Sequence, residues 1–256
     1  VSVKLRTGVE SYNGTIKWSQ FSGADPALTF DKNMLLGLSF SENNGNVSAS
    51  KALIDYNVSM NNNDIIPEGK YGSGARFYGE TGVIVEDKAE FRLGGVYNFS
   101  LEMWLNGNVV NESSLLDKQG KYLMYTNASG AVLFNFTHDS VEYSLISNST
   151  LTNNTWTHII VTNDAQNLSR LFINGVEDAT ATMNGSVDSS TANLLLGNGN
   201  AKGAFNGTID SFVMYNKTLT AQEILTRYQE GFTNSSGGEM TFELNRFVQL
   251  RVDFES

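Results

Sequence analysis

Few residues in this chain could do acid–base or metal chemistry. There are two histidines, His138 and His158, and no cysteine. Zinc sites draw on clustered His and Cys ligands, so two distant histidines disfavour zinc, and thiol chemistry is absent. His138 stands alone in a Thr-His-Asp turn. His158 lies beside Trp156 in an apolar, β-rich stretch, which favours a packed or hydrogen-bonded structural role over catalysis.

Glycoside hydrolysis would need two carboxyl groups, one acting as acid and the other as nucleophile or base. The nearest run is Glu-Asp-Lys-Ala-Glu at 86–90. On a strand this spacing places Glu86 and Glu90 on one face and Asp87 on the other, so we interpret the run as a solvated turn. The sequence has no glycine-rich loop between a strand and a helix, so it gives no sign of nucleotide binding. The sequence therefore predicts a protein that is not an enzyme.

Asparagine carries the strongest functional signal. The chain has 29 Asn, of which 14 begin an Asn-x-Ser/Thr acceptor sequence. Chance placement among 46 Ser and Thr would give about five. We predict glycans on many of these sites, the alternative being that a polar loop composition forms them by accident. The sites are Asn13, Asn46, Asn57, Asn98, Asn111, Asn127, Asn135, Asn148, Asn153, Asn167, Asn184, Asn206, Asn216 and Asn234.

The charge and hydropathy of the sequence limit the expected partners and location of the protein. Net charge is −10 with only 17 Lys and Arg, so nucleic acid is not an expected partner. No apolar run reaches the roughly 18 residues that a membrane helix needs, so we expect no direct membrane insertion by this segment. N-glycosylation implies export, and we expect a secreted or cell-surface protein. The start, which has neither Met nor an apolar leader, suggests a processed chain or a piece of a longer one.

Strand patterns dominate the chain. The stretch 99–105 alternates apolar and other residues, and 156–162 and 132–136 are β-rich. Asn174-Gly175 predicts a type I′ hairpin, because both central residues of that turn need positive φ. One helix is expected, with Thr220 and Glu223 as a capping box and Gly231 as its end. The predicted core contains Leu101, Met103, Ile160, Phe172, Ile173 and Phe212.

The order of the motifs resembles the laminin-G-like branch of the concanavalin-A-like lectin/glucanase domains. The motifs are LGLSFSE at 36–42, GKYGSGARF at 69–77, FSLEMW at 99–104, WTH at 156–158, LFING at 171–175, LLG at 195–197, FNGTID at 205–210 and LTAQEI at 219–224. The resemblance implies an all-β fold, a concanavalin-A-like jelly-roll sandwich with one short C-terminal helix, over residues 31–232.

The two ends of the chain lie outside that pattern. Residues 1–30 and 238–256 are rich in alternating apolar residues and resemble the first and last strands of a smaller β-sandwich. We predict that they pair and form a discontinuous second β module, into which residues 31–232 are inserted. The alternative is that both ends are extra edge strands of one sandwich.

The resemblance also implies a cofactor and a class of function. Members often hold one Ca²⁺, and the corresponding positions fall near Glu42, Asn44 and Asp210, although Asp210 could instead cap a turn. We expect a non-catalytic adhesion module that binds glycans or surface proteins. The alternative is a structural subunit of a glycosylated surface lattice, sheath or filament, which binds copies of itself by strand addition.

Overall fold

The computed structural model describes residues 2–10, 16–18, 33–38, 40, 58–61, 64–93, 95, 97–119, 121–199, 202–233 and 247–253. Its strands are β1 Ser2–Glu10, β2 Ile16–Trp18, β3 Met34–Leu38, β4 Val58–Asn61, β5 Asp64–Ile66, β6 Gly74–Phe77, β7 Gly82–Val85, β8 Phe99–Asn108, β9 Ser113–Asp117, β10 Tyr122–Thr126, β11 Ala131–His138, β12 Val141–Thr150, β13 Thr157–Asn163, β14 Leu168–Ile173, β15 Val176–Thr182, β16 Leu194–Leu196, β17 Gly203–Ala204, β18 Asn206–Tyr215 and β19 Phe247–Asp253. A 3₁₀ turn spans Ala89–Phe91, and helix α1 spans Ala221–Thr233.

Two large sheets form a sandwich, which confirms the predicted all-β jelly roll. The front sheet has the order β12-β11-β10-β9-β16-β7-β4, with β17 paired to β9. The back sheet has the order β15-β14-β13-β8-β18-β6-β5, with β3 paired to β18. Apart from the parallel β17–β9 pair, the described pairs in both sheets are antiparallel, as expected of strands with one face in a common core.

The core has two layers. The alternation of side chains along each strand decides which layer a residue enters. Phe99, Leu101, Met103 and Leu105 of β8 enter the main core between the sheets, as predicted, together with Phe212. Ile160 and Phe172 instead enter a second layer, between the back sheet and the helix residue Ile224. Ile173 is half-buried against the main core. The adjacent pair Phe172 and Ile173 therefore faces opposite layers, because side chains alternate along a strand.

The predicted turn and helix start are confirmed, and the helix end is corrected. Asn174 and Gly175 have φ of 51° and 79°, as a type I′ turn requires. Thr220 Oγ1 accepts from Glu223 N at 3.2 Å while Glu223 Oε2 accepts from Thr220 N at 2.8 Å, closing the capping box. The prediction that Gly231 ends the helix is wrong, because α1 runs to Thr233. A glycine inside a helix costs about 1 kcal/mol, too little to end it where neighbouring turns are held.

The ends of the chain pair with each other. The third sheet has the order β19-β1-β2. Val3 lies opposite Val252 and Leu5 opposite Leu250, so at these two pairs the register places apolar residues opposite each other. The pairing of the two ends is therefore as predicted, and the division into two folding units stays a prediction. No helix among the residues described has the length and apolarity needed to cross a membrane.

Candidate functional site

A buried charged cluster lies between the back sheet and α1. Glu102 of β8 is 1% exposed. Its carboxylate accepts hydrogen bonds from His158 Nε2 at 3.0 Å, Arg227 Nη1 at 3.3 Å and the Tyr215 hydroxyl at 3.4 Å. The His158 ring stacks on Trp104 with centroids 4.7 Å apart. Three strands and the helix thus converge on one carboxylate.

The electrostatics of this cluster keep Glu102 ionised. Burial opposes its charge, but Arg227, His158 and Tyr215 outweigh burial and hold the Glu102 pKa below its ordinary value. Because a carboxylate can only accept, Nε2 of His158 is the donor. His158 is 1% exposed and its ring stacks on Trp104 and on Tyr228 of α1, so it is packed and hydrogen-bonded as predicted. The cluster anchors the helix to the sheet and offers no access to a substrate.

The acidic run 86–90 also serves the structure. It lies in a turn, as interpreted, but Asp87 is not simply solvated. Its carboxylate lies 2.6 Å from both Arg92 Nη2 and Lys118 Nζ. Burial opposes the charge on Asp87, and the two cations override it and lower the Asp87 pKa. Glu86 and Glu90 are exposed and lie outside any strand. Lys118 directly follows β9 and lies 31 residues from Asp87 in the chain, so sequence spacing could not link the two.

The predicted calcium ligands are only partly described. Glu42 and Asn44 lie outside the described residues. Asp210 is fully buried, and its Oδ2 accepts from Tyr71 N at 2.8 Å while Ser211 Oγ lies 3.3 Å from its Oδ1. This carboxylate therefore holds the loop before β6 in place. That is the turn-capping role given above as the alternative to calcium binding. A calcium role for Asp210 stays a prediction.

Ten of the fourteen acceptor asparagines fall in the described part of the chain. Asn127 and Asn167 are half-buried, and Asn135 on β11 is 8% exposed and accepts from Ser144 Oγ. A glycan on Asn135 would have to displace that packing, so the geometry disfavours this site. Asn13, Asn46, Asn57 and Asn234 lie outside the described residues. The exposed sites are Asn98, Asn111, Asn148, Asn153, Asn184, Asn206 and Asn216.

The outer face of the front sheet carries an apolar group that is separate from the main core. Leu123, Tyr125 and Leu133 cluster there, each 7–8% exposed. In register, Leu123 is opposite Asn135, and Leu133 is opposite Ile146, which is 51% exposed. We call Leu123, Tyr125, Leu133, Asn135 and Ile146 the front face. It combines an apolar floor with an exposed edge on β12.

Polar groups border the front face. Lys202 Nζ lies 4.6 Å from the Tyr125 ring centroid and 3.3 Å from Glu112 Oε2. Ser114, opposite Tyr125, has a buried hydroxyl with no hydrogen-bond partner within the described part of the chain. A Cβ on Gly199 would lie 2.4 Å from that hydroxyl oxygen, so the backbone covers the hydroxyl, and the polar groups open to a ligand here are those of Lys202 and Glu112. Apolar surface with a few hydrogen-bonding groups is the usual make-up of a ligand site.

A comparison with protein families matches residues 78–225, more than half of the chain, to the concanavalin A-like lectin/glucanases superfamily. A comparison with curated proteins finds no match.

Three solved structures illustrate the likeness in fold. The binding domain of Paraclostridial Mosquitocidal Protein 1 matches with a TM-score of 0.66 at 15% identity, over 79% of this chain and 53% of that one. Domain 4 of AbnA, an extracellular arabinanase from Geobacillus stearothermophilus solved with arabinotriose, matches with a TM-score of 0.65 at 18% identity, over 77% of this chain and 98% of that one. The binding domain of botulinum neurotoxin DC, solved with rat synaptotagmin II, matches with a TM-score of 0.64 at 14% identity, over 78% of this chain and 52% of that one. This chain therefore spans about half of the toxin binding domains.

Proposed function

Because the chain belongs to the concanavalin A-like lectin/glucanases superfamily, we propose that it is a non-catalytic, extracellular adhesion module that binds a glycan or a surface protein through its front face. Similar folds occur in domains solved with arabinotriose and with synaptotagmin II. Fold alone does not choose a ligand, so the proposal rests on the front face itself.

The single observation that carries the proposal is the composition of this face. A sheet face that points away from the core normally carries polar residues, yet three apolar side chains cluster here. Ser144 and Ile146 on the neighbouring strand are exposed and lie directly opposite Asn135 and Leu133. Sugar rings present apolar C–H faces and hydroxyl edges, which such a mixture can contact.

Two carboxylates, those of Glu102 and Asp87, are held by cationic side chains, which supports the non-catalytic part of the proposal. Glu102 lies beneath α1 and is held by Arg227 and His158. Asp87 is engaged by Arg92 and Lys118. A glycosidase needs two carboxyl groups that reach the same bond, about 5–10 Å apart and open to substrate.

A titration tests the front face. We expect Ile146→Ser to weaken binding of a responsive oligosaccharide about tenfold, because it removes exposed apolar contact area from the site. Binding would first be screened on a glycan array that includes arabinotriose and then measured by calorimetry. Val176→Ser is the matched control, since Val176 is 66% exposed on the back sheet. Equal losses in the two variants, or binding unchanged by Ile146→Ser, would contradict the assignment.

The extracellular part of the proposal concerns the acceptor asparagines. We expect native protein to lose mass in steps of whole glycans when N-glycans are removed enzymatically, with the seven exposed sites modified before the buried Asn135. Intact-mass measurement before and after treatment reads the number of occupied sites, and peptide mapping places them. A mass that does not change would refute both glycosylation and the argument for export.

A second candidate function has its own observation. Within the described strands, β2 and β19 are the outer strands of the small sheet, and each has one neighbour, β1. An open sheet edge can accept a strand from another molecule. This favours a structural subunit of a surface lattice, sheath or filament, built from copies of the chain. Electron microscopy of native material distinguishes the two: a regular polymer supports the subunit, and isolated stalks support the adhesion module.

A further inference from the structure

One more group of ionisable side chains lies at the tip of the β11–β12 hairpin. His138 ends β11, Asp139 follows it in the turn, and Asp188 comes from the loop before β16. One ligand atom from each, a ring nitrogen and two carboxylate oxygens, all lie within 4.8 Å of one another. The group joins positions about 50 residues apart, and no sequence pattern links them.

The tautomer of His138 follows from its hydrogen bond. Nδ1 lies 2.8 Å from the carbonyl oxygen of Ser186. A carbonyl only accepts, so Nδ1 carries the proton, and Nε2 of a neutral ring presents its lone pair. Nε2 lies 3.6 Å from Asp139 Oδ2. Metal-binding histidines are typically oriented in this way, with the second nitrogen donating to a backbone carbonyl.

The ring is also fixed in position by packing. A Cβ on Gly185 would lie 2.0 Å from His138 Cδ2, so the glycine backbone sits directly against the ring. Gly185 has φ of 91°, which side-chain-bearing residues rarely adopt. The imidazole is therefore held before any ligand arrives, which reduces the entropy lost on binding.

Asp188 supplies a fixed negative charge. Its Oδ1 accepts from Asp139 N at 3.0 Å, and Ser140 N lies 3.5 Å from Oδ2. Lys121 Nζ lies 3.3 Å from the same Oδ2. These three contacts hold the Asp188 carboxylate in place at the tip of the hairpin. Asp139 is 87% exposed and free to turn toward a ligand.

We propose that His138, Asp139 and Asp188 bind a divalent transition-metal ion of the zinc type. The Nε2 lone pair and the two carboxylate oxygens converge on one point, so a cation placed there contacts all three ligand atoms. Metal bonds of about 2.0–2.2 Å place tetrahedral ligand atoms about 3.4 Å apart, close to the separation of Nε2 and Asp139 Oδ2. One imidazole and two carboxylates suit Zn²⁺, whereas Ca²⁺ prefers oxygen ligands alone.

Zinc titration of the whole chain by calorimetry at pH 7.5 tests this proposal. We expect one equivalent to bind, and His138→Ala and Asp139→Asn each to weaken binding by about tenfold or more. Lys121→Met should strengthen it, because it removes a positive charge beside Asp188. Glu142→Gln, an exposed acid on the next strand, should have no effect.

A second readout identifies the ligands independently. Bound Co²⁺ should absorb in the visible range, and the band should disappear in His138→Ala while circular dichroism shows the fold intact. Wild-type protein that binds no zinc would overturn the proposal. Zinc binding that is unchanged in both His138→Ala and Asp139→Asn would also overturn it, by placing the metal elsewhere.

Discussion

Replacing Glu102 with Ala should lower the free energy of unfolding by about 3–5 kcal/mol. The carboxylate accepts from Arg227, His158 and Tyr215 in the layer beneath α1, where both Glu102 and His158 are 1% exposed. Without it, the guanidinium of Arg227 and the Nε2–H of His158 lose this acceptor inside the layer beneath α1. Breaking a buried ion pair from one side costs more than the pair itself contributes.

Urea unfolding followed by circular dichroism measures this loss. Glu112→Ala is the matched control, since Glu112 is exposed and pairs with Lys202 at the surface, and its effect should stay below about 1 kcal/mol. The pH dependence gives a further check. The pKa of Glu102 is lowered in the folded state, so its contribution is present above the unfolded pKa of about 4.3 and disappears as pH falls through the lower folded value.

The difference in stability between wild type and Glu102→Ala should therefore be constant at neutral pH and shrink in acid. Comparing the two proteins matters because Asp87, Asp164 and Asp188 also have lowered pKa values and give both proteins an acid-dependent slope. A difference that is below 1 kcal/mol at pH 7, or one that grows in acid, would contradict the role assigned to Glu102.

The sequence predicts the main core well because strand alternation is a local signal. Phe99, Leu101, Met103 and Leu105 could be placed on one face from spacing alone. The opposite face of the same strand could not be interpreted, because Glu102 and Trp104 look like solvent-facing residues. Their cover, helix α1, lies about 120 residues later. Pattern shows which residues share a face, and topology decides what lies against it.

Functional groups were harder to predict than the fold for the same reason. His138 looked isolated, since Asp188 approaches it only after β11 and the loop before β16 meet. The front face was missed because Leu133 and Asn135 alternate with the core residues Phe134 and Phe136 in a strand that is apolar on both sides. A continuous apolar run marks such a strand in a sequence, without showing that one of its faces lies outside the main core.

The pairing of the two chain ends leads to the last prediction. Deleting residues 238–256 removes β19, which pairs with β1 from Ser2 opposite Asp253 to Gly8 opposite Phe247. Among the described strands, no member of this small sheet pairs with either sandwich sheet. We therefore expect the sandwich to keep its cooperative thermal transition, while β1 loses its longest partner and cannot stay ordered as part of a two-stranded remnant.

Limited trypsin digestion with mass spectrometry reads the N-terminal segment directly, because Lys4 and Arg6 lie in β1 and Lys17 lies in β2. Cleavage there should become at least about tenfold faster, since proteolysis follows the population of the open segment. Removing only residues 254–256, which follow β19, is the control and should leave the segment protected. Loss of the thermal transition throughout the chain would show that the ends belong to one folding unit with the sandwich, and an unchanged cleavage rate would show that β1 does not depend on β19.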